Sequence, residues 1–195
     1  MRRALLVVLF TALSAVTMFI YCQQVLSGVV QPRLASWVIF LIGSILSLVS
    51  YFASAGKHNA TNNLANIADV LATLAVIVVL TLQGSRLELS TFDQYCLFSA
   101  GGIVVIWMFA GHTTANLLLQ GLMIVGYFPM IRSLWSATQN SESFVLWGTA
   151  LVTSSIALCM SWRNRRVDPL APVYAIRACI LVGILLALMF RIELS

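Results

Sequence analysis

The chain has 195 residues, of which 61% are hydrophobic and 9% charged, with a net charge of +5. Soluble domains carry about 25% charged residues, so there is too little polar surface here to cover a water-soluble globule. The positive charge needs no nucleic-acid partner, because arginines in short loops between apolar segments serve membrane topology.

Hydropathy predicts seven helices, at roughly 4–24, 34–54, 64–83, 95–111, 114–134, 144–162 and 171–190. Each is about 20 residues long, enough to cross a hydrocarbon core about 30 Å thick at about 1.5 Å per residue. Only helices and closed barrels satisfy their backbone in lipid. These segments are too long for barrel strands and do not alternate, so the expected fold class is an all-α integral membrane protein. They use most of the length and form one membrane domain over residues 1–195.

In chain order, Met1-Arg2-Arg3 opens onto an apolar run that reaches Ile20 without a small-x-small cleavage site. It reads as a first helix rather than a secretory signal. Gln31-Pro32-Arg33 turns it into the second helix, whose Gly43, Ser44, Ser47 and Ser50 suit close helix packing. Ala55–Asn63 leads to the third helix, which carries Asn66 and Asp69. Gln83–Gln94 precedes the fourth, which holds Gly101-Gly102. Gly111 then leaves almost no loop before the fifth. There His112, Asn116 and Gln120 fall at i, i+4 and i+8, on one helical face. Pro129 removes a backbone hydrogen bond in the same helix and is expected to bend it, as a static kink or as a gating hinge. The sixth helix carries Thr149, Thr153, Ser154 and Ser155. Arg163–Pro169 then leads to the seventh, with Tyr174 and Arg177.

Buried charges are expensive in a membrane, about 2.5–3.5 kcal/mol each on insertion scales, and normally face partners or water. Asp69 and Arg177 sit at similar depth in the third and seventh helices, and a pair across the bundle axis is the expected arrangement. Asn66 and Tyr174 lie about one turn away on the same helices. The predicted cavity is therefore lined by Asn66, Asp69, His112, Asn116, Gln120, Tyr174 and Arg177. The tryptophans at 37, 107, 135 and 147 read as interfacial anchors. Cys22, Cys96, Cys159 and Cys179 show no metal-like spacing and read as small membrane-buried residues. No HExxH, paired carboxylates or Ser/His/Asp set appears, so neither an enzyme nor a cofactor is expected. Lys57, the only lysine, lies in a loop, which excludes a retinal Schiff base.

The chain also reads as a duplication. A shift of 106 or 107 positions brings Ser36-Trp37-Val38 onto Ser143-Phe144-Val145 and Leu64-Ala65 onto Leu170-Ala171. The predicted plan is 3+1+3: a first parallel repeat at 1–84, a linker helix at 94–111 and a second repeat at 112–195. Duplicated transporters build their sites where the repeats meet. Symmetry fails in helix five, since Leu5, Leu9 and Leu13 occupy the places that match His112, Asn116 and Gln120. Lys and Arg in the loops favour a cytoplasmic N-terminus, with Arg163, Arg165 and Arg166 in one short cytoplasmic loop of a bacterial inner (plasma) membrane protein.

Three helices, a linker and three more, with Gly126-Tyr127-Phe128-Pro129-Met130-Ile131-Arg132-Ser133-Leu134-Trp135 followed by Asn140-Ser141-Glu142-Ser143, resemble the SWEET and PQ-loop transporter superfamily. That group includes SemiSWEET and PnuC-like relatives and the KDEL receptor, and this chain is similar to it as a divergent member. The naming Pro-Gln dipeptide is absent, since Met130 follows Pro129. The Asn and aromatic positions of sugar-binding members are matched only by Asn66 and Tyr174, while Asp69 and Arg177 are extra charges. The resemblance implies a transporter, a facilitator or a proton-coupled one. Its small polar solute, charged or zwitterionic, would bind between the two repeats. The other reading is a non-transporting receptor or sorting protein. The expected partners are the small-molecule solute and the lipid bilayer, with no nucleic acid; a homo-oligomer is left open.

Overall fold

The computed structural model describes residues 2–30, 32, 34–54, 58–140 and 142–194, without the side chains of Arg2, Val125, Pro129 and Ser133. Regular structure among the described residues is all helical: α1 (Arg2–Leu26), α2 (Leu34–Ala53), α3 (Leu64–Leu82), α4 (Thr91–Ala110), α5 (His112–Ser136), α6 (Phe144–Trp162) and α7 (Ala171–Leu194), with one 3-10 turn at Ala60–Asn62. All seven α-helices are long and apolar enough to cross a membrane, which supports an integral membrane protein.

The helices overrun the apolar segments where capping chemistry allows. α4 starts at Thr91 because Ser90 and Asp93 form a reciprocal capping box: the Ser90 hydroxyl accepts from the Asp93 amide, and Asp93 accepts from the Ser90 amide at 2.8 Å. α5 starts at His112, with one residue between it and the end of α4 at Ala110. The single connector, Gly111, has φ +81°, a conformation that favours glycine. α7 continues to Leu194. Its Arg191 donates to the carbonyls of Leu134 and Trp135 at 2.9 and 2.8 Å, so a cation closes the C-terminal end of α5.

α3 packs against α1 and α2, and α7 packs against α5 and α6. α1 lies along α6, α2 lies along α5, and α4 lies against α5 and α2. Gly43 of α2 permits a close approach there, since a Cβ at that position would stand 3.2 Å from the Met123 side chain. The connections place Arg3, the 3-10 turn and the α6–α7 loop on one face, where Arg3 donates to Thr61 and Asn62 and Asn164 donates to Asn62. On the other face, Gln83 donates to the Val25 carbonyl and Arg191 holds the end of α5.

The main hydrophobic cluster fills the Arg191 half with Tyr21, Val76, Leu80, Leu134, Leu185 and Met189. Outside, Val8, Phe19, Phe98, Met108 and Phe109 are exposed. In water such a surface would drive association; against lipid tails it costs nothing.

Candidate functional site

The polar residues of the bundle divide into three groups. The first is a seam between α2 and α5. Asn116 Nδ2 donates to the Ser47 carbonyl at 2.9 Å and to the Ser50 hydroxyl at 3.0 Å. Gln120 Nε2 donates to the Ser47 hydroxyl at 2.8 Å. Asn66 joins from α3: its side-chain oxygen accepts from that same hydroxyl at 3.1 Å while its nitrogen donates to the Ser44 carbonyl at 3.2 Å. Ser47 thus receives one hydrogen bond and gives one. Asn66, Ser44, Ser47 and Ser50 are fully buried. The Gln120 carbonyl oxygen and the Ser44 hydroxyl keep unused capacity there.

The sequence brought Asn116 and Gln120 onto one face, and the structure turns that face toward the serines of α2. His112, the third member of the stripe, stands exposed at the α4–α5 elbow, where the Trp107 indole N–H donates to its Nδ1. It lies apart from the other six candidates. α5 is helical through position 129, and the Pro129 side chain, read as a gate, lies outside the described ones.

The second group surrounds a central cavity with two adjoining compartments of about 110 and 80 Å³. Met18 of α1, Asp69 and Ala72 of α3, Leu146, Ala150 and Ser154 of α6, and Ala178 of α7 line both. Ser36, Trp37 and Phe40 of α2, Thr73 of α3, Tyr127 and Met130 of α5, Trp147 of α6 and Val182 of α7 complete the larger. Of the seven residues predicted for the site, Asp69 and Tyr174 reach this cavity.

Asp69 Oδ2 accepts the Tyr174 hydroxyl at 2.5 Å, while Oδ1 has no hydrogen-bond partner among the described residues. Arg177 does not pair with Asp69 directly. Its guanidinium lies 4.3 Å above the Tyr174 ring, within electrostatic reach of Asp69 and Tyr127, and its Nε and Nη1 are buried without hydrogen-bond partners among the described residues. The order across the bundle is therefore Asp69, Tyr174, Arg177. An arginine one turn from a tyrosine on the same helix lies close enough to cover its ring, and that local contact stands in place of the cross-bundle ion pair.

The cavity walls carry residues that sequence reasoning placed elsewhere. Trp37 and Trp147, read as interfacial anchors, line the larger compartment. The Phe40 and Tyr127 rings meet edge to face at 5.0 Å, and Tyr127 lies 6.2 Å from Trp147. The Trp147 N–H donates to Glu142 Oε2 at 3.0 Å, which anchors the indole by its edge. Burial pushes the Glu142 carboxyl above its ordinary range, and the hydrogen bond from Trp147 partly offsets this. On α6, Thr149 and Thr153 turn their hydroxyls back to the carbonyls of Val145 and Thr149, whereas the Ser154 hydroxyl makes no hydrogen bond among the described residues.

The third group closes the Arg3 face. Asp168, fully buried in the α6–α7 loop, accepts the Tyr51 hydroxyl, meets His58 Nδ1 at 3.3 Å and accepts from Asn62 Nδ2 at 3.3 Å. Asn62 also receives Asn164 at 3.0 Å and Arg3. Loops that connect α2 to α3 and α6 to α7 are thereby stitched together. The sequence signal was Asp168 itself, an acid beside an arginine-rich turn.

An apolar groove of about 430 Å³ runs between α1 and α3. It shares Phe10, Ser14, Met18, Ala68 and Ala72 with the cavity, and its outer rim is the exposed Phe19 and Leu71. The cavity is thus flanked by a lateral opening on the lipid-facing side.

Comparison with protein-family models, with curated proteins and with solved structures gives no match to this chain.

Proposed function

We propose that the protein is a membrane transporter, a facilitator or a proton-coupled one, that passes a small polar metabolite through the cavity between α1, α3, α6 and α7. The observation that carries this reading is Asp69. A carboxylate with one oxygen unpartnered, facing a central space rather than a neighbouring helix, is expensive in a membrane interior unless a solute, a proton or water meets it.

The 3+1+3 plan is part of the proposal. The packing supports it: α1–α3–α2 and α5–α7–α6 are like arrangements, joined through α1 on α6 and α2 on α5, with α4 outside them. Rocking of one unit against the other would open the cavity to alternate faces, as in other duplicated transporters. The resemblance to the SWEET and PQ-loop superfamily points the same way and belongs to this proposal.

The closed Arg3 face suits one end state of such a cycle. Asp69 is the candidate coupling group, and the titratable or charged side chains around it are Tyr174, Tyr127 and Arg177. The test is uptake by proteoliposomes with and without a pH gradient. Solute accumulation driven by the gradient supports coupling, equal uptake in both leaves a facilitator, and binding without any flux favours a receptor instead.

A further inference from the structure

We infer that the solute is an organic cation, an amine or quaternary ammonium with apolar substituents, held between Asp69 and the aromatic wall of the larger compartment. The inference deepens the transport reading and rests on it for the site.

Three observations converge. First, of the acid and the base expected to pair across the bundle, the acid faces the cavity: Asp69 borders both compartments, and Arg177 borders neither. Arg177 lies over the opposite side of the chemistry, stacked on the Tyr174 ring. The two unpartnered N–H groups of Arg177 are buried behind that ring, so an anion in the cavity would meet Asp69 before it met the guanidinium.

Second, Asp69 has a free acceptor. Tyr174 holds Oδ2 and fixes the carboxylate, leaving Oδ1 for a ligand. An ammonium N–H, or the positive skirt of a quaternary nitrogen, fits an unpaired carboxylate oxygen in a low-dielectric space.

Third, Trp37, Phe40, Tyr127 and Trp147 line the same compartment as Asp69. Aromatic faces attract cations through their quadrupole, by about 0.5–1 kcal/mol at exposed sites and about 2 or more when desolvated, and tryptophan is the strongest of them. With its N–H held by Glu142, Trp147 offers the cavity its ring rather than a hydrogen bond. Of the hydroxyls in the wall, those of Thr73, Thr149 and Thr153 are satisfied by their own helices, which leaves the small hydroxyls of Ser14, Thr17, Ser36 and Ser154 beside the aromatic rings. Among the candidate amides, Asn66, Asn116 and Gln120 border neither compartment.

The experiment uses the purified full chain in detergent and in proteoliposomes. Choline and tetraethylammonium are the cationic probes, with succinate as the anion and sorbitol as the neutral polyol. Both cations are expected to raise the thermal midpoint, with succinate and sorbitol inert. Asp69→Asn should abolish the cation-induced shift while retaining helical circular dichroism, and Trp147→Leu should weaken choline binding about tenfold. If Asp69→Asn does not fold, Tyr127→Leu and Trp147→Leu carry the same test on the aromatic wall. A shift with succinate or sorbitol but not with the cations overturns the inference, as does an unchanged choline shift in every variant. Labelled choline flux separates the two proposals. Choline binding without flux overturns transport and leaves the cation site standing; flux of succinate or sorbitol that choline does not inhibit overturns the cation site and leaves transport standing.

Discussion

Asn66 and Asp69 stand one turn apart on α3 and behave in opposite ways. Asn66 is fully buried and held by Ser44, Ser47 and the Leu48 amide, on the side of α3 that faces α2. Asp69 faces the cavity, with one oxygen held by Tyr174 and the other without a partner among the described residues. The same helix thus contributes to a seam that locks α2, α3 and α5 together and to a cavity that retains an open charge. A polar side chain in a membrane interior is costly unless it is matched, and α3 carries one matched by protein and one matched only in part within a single turn.

The comparison breaks most sharply at Asp69. Asp69→Asn is expected to reduce solute uptake to the level of empty liposomes, while size-exclusion behaviour and helix content stay those of the parent. Retained uptake would remove Asp69 from the site.

A loss of stability comes next, on the Arg3 face. Asp168→Ala leaves Tyr51, His58 and Asn62 without their acceptor, and should cost about 3 kcal/mol in unfolding measurements, since unpaired buried partners are costly. A change in midpoint within error would show that this network does not hold the loops.

Asn116→Leu tests the seam itself. Hydrogen bonds between membrane helices average about 0.6 kcal/mol and reach about 1.7 kcal/mol. The variant should therefore lose about 1 kcal/mol of stability, with uptake per folded molecule unchanged. Unaltered stability with lost uptake would move Asn116 from the seam to the site.

The smallest effect is expected at Glu142. Its carboxyl is raised by burial, so the folded state holds a proton that the unfolded chain has already released. Stability should therefore fall as pH rises from the unfolded carboxylate range through the folded one. Glu142→Gln should flatten that slope in thermal midpoints taken between about pH 4 and 7. A slope unchanged in the variant would assign it to another group.

The seven helices were legible because twenty-residue apolar runs leave the chain few alternatives. Their ends were less so: α4 begins in the polar turn Thr91-Phe92-Asp93, where a capping box, invisible to hydropathy, does the work. For the site, the sequence could show that Asn116 and Gln120 share a face, but not what that face meets. The complement was written in α2, where Ser44, Ser47 and Ser50 recur at three-residue intervals and Ser47 and Ser50 take up those amides. Asp69 and Tyr174 were found because a carboxylate in an apolar run has to be accounted for. Trp37, Tyr127 and Trp147 were missed because aromatic residues in membrane helices serve anchors, cores and binding walls alike, and only packing separates these roles.

The groove between α1 and α3 bears on how any of this is measured. An alkyl chain from a micelle has the same access to the exposed rim at Phe19 and Leu71 as a bilayer lipid has. The solubilising agent is then a silent competitor, and its chain length becomes an experimental variable. Affinities taken in a short-chain detergent, a long-chain one and a nanodisc should differ for the same preparation. Their trend would report how deeply the hydrocarbon reaches toward Asp69.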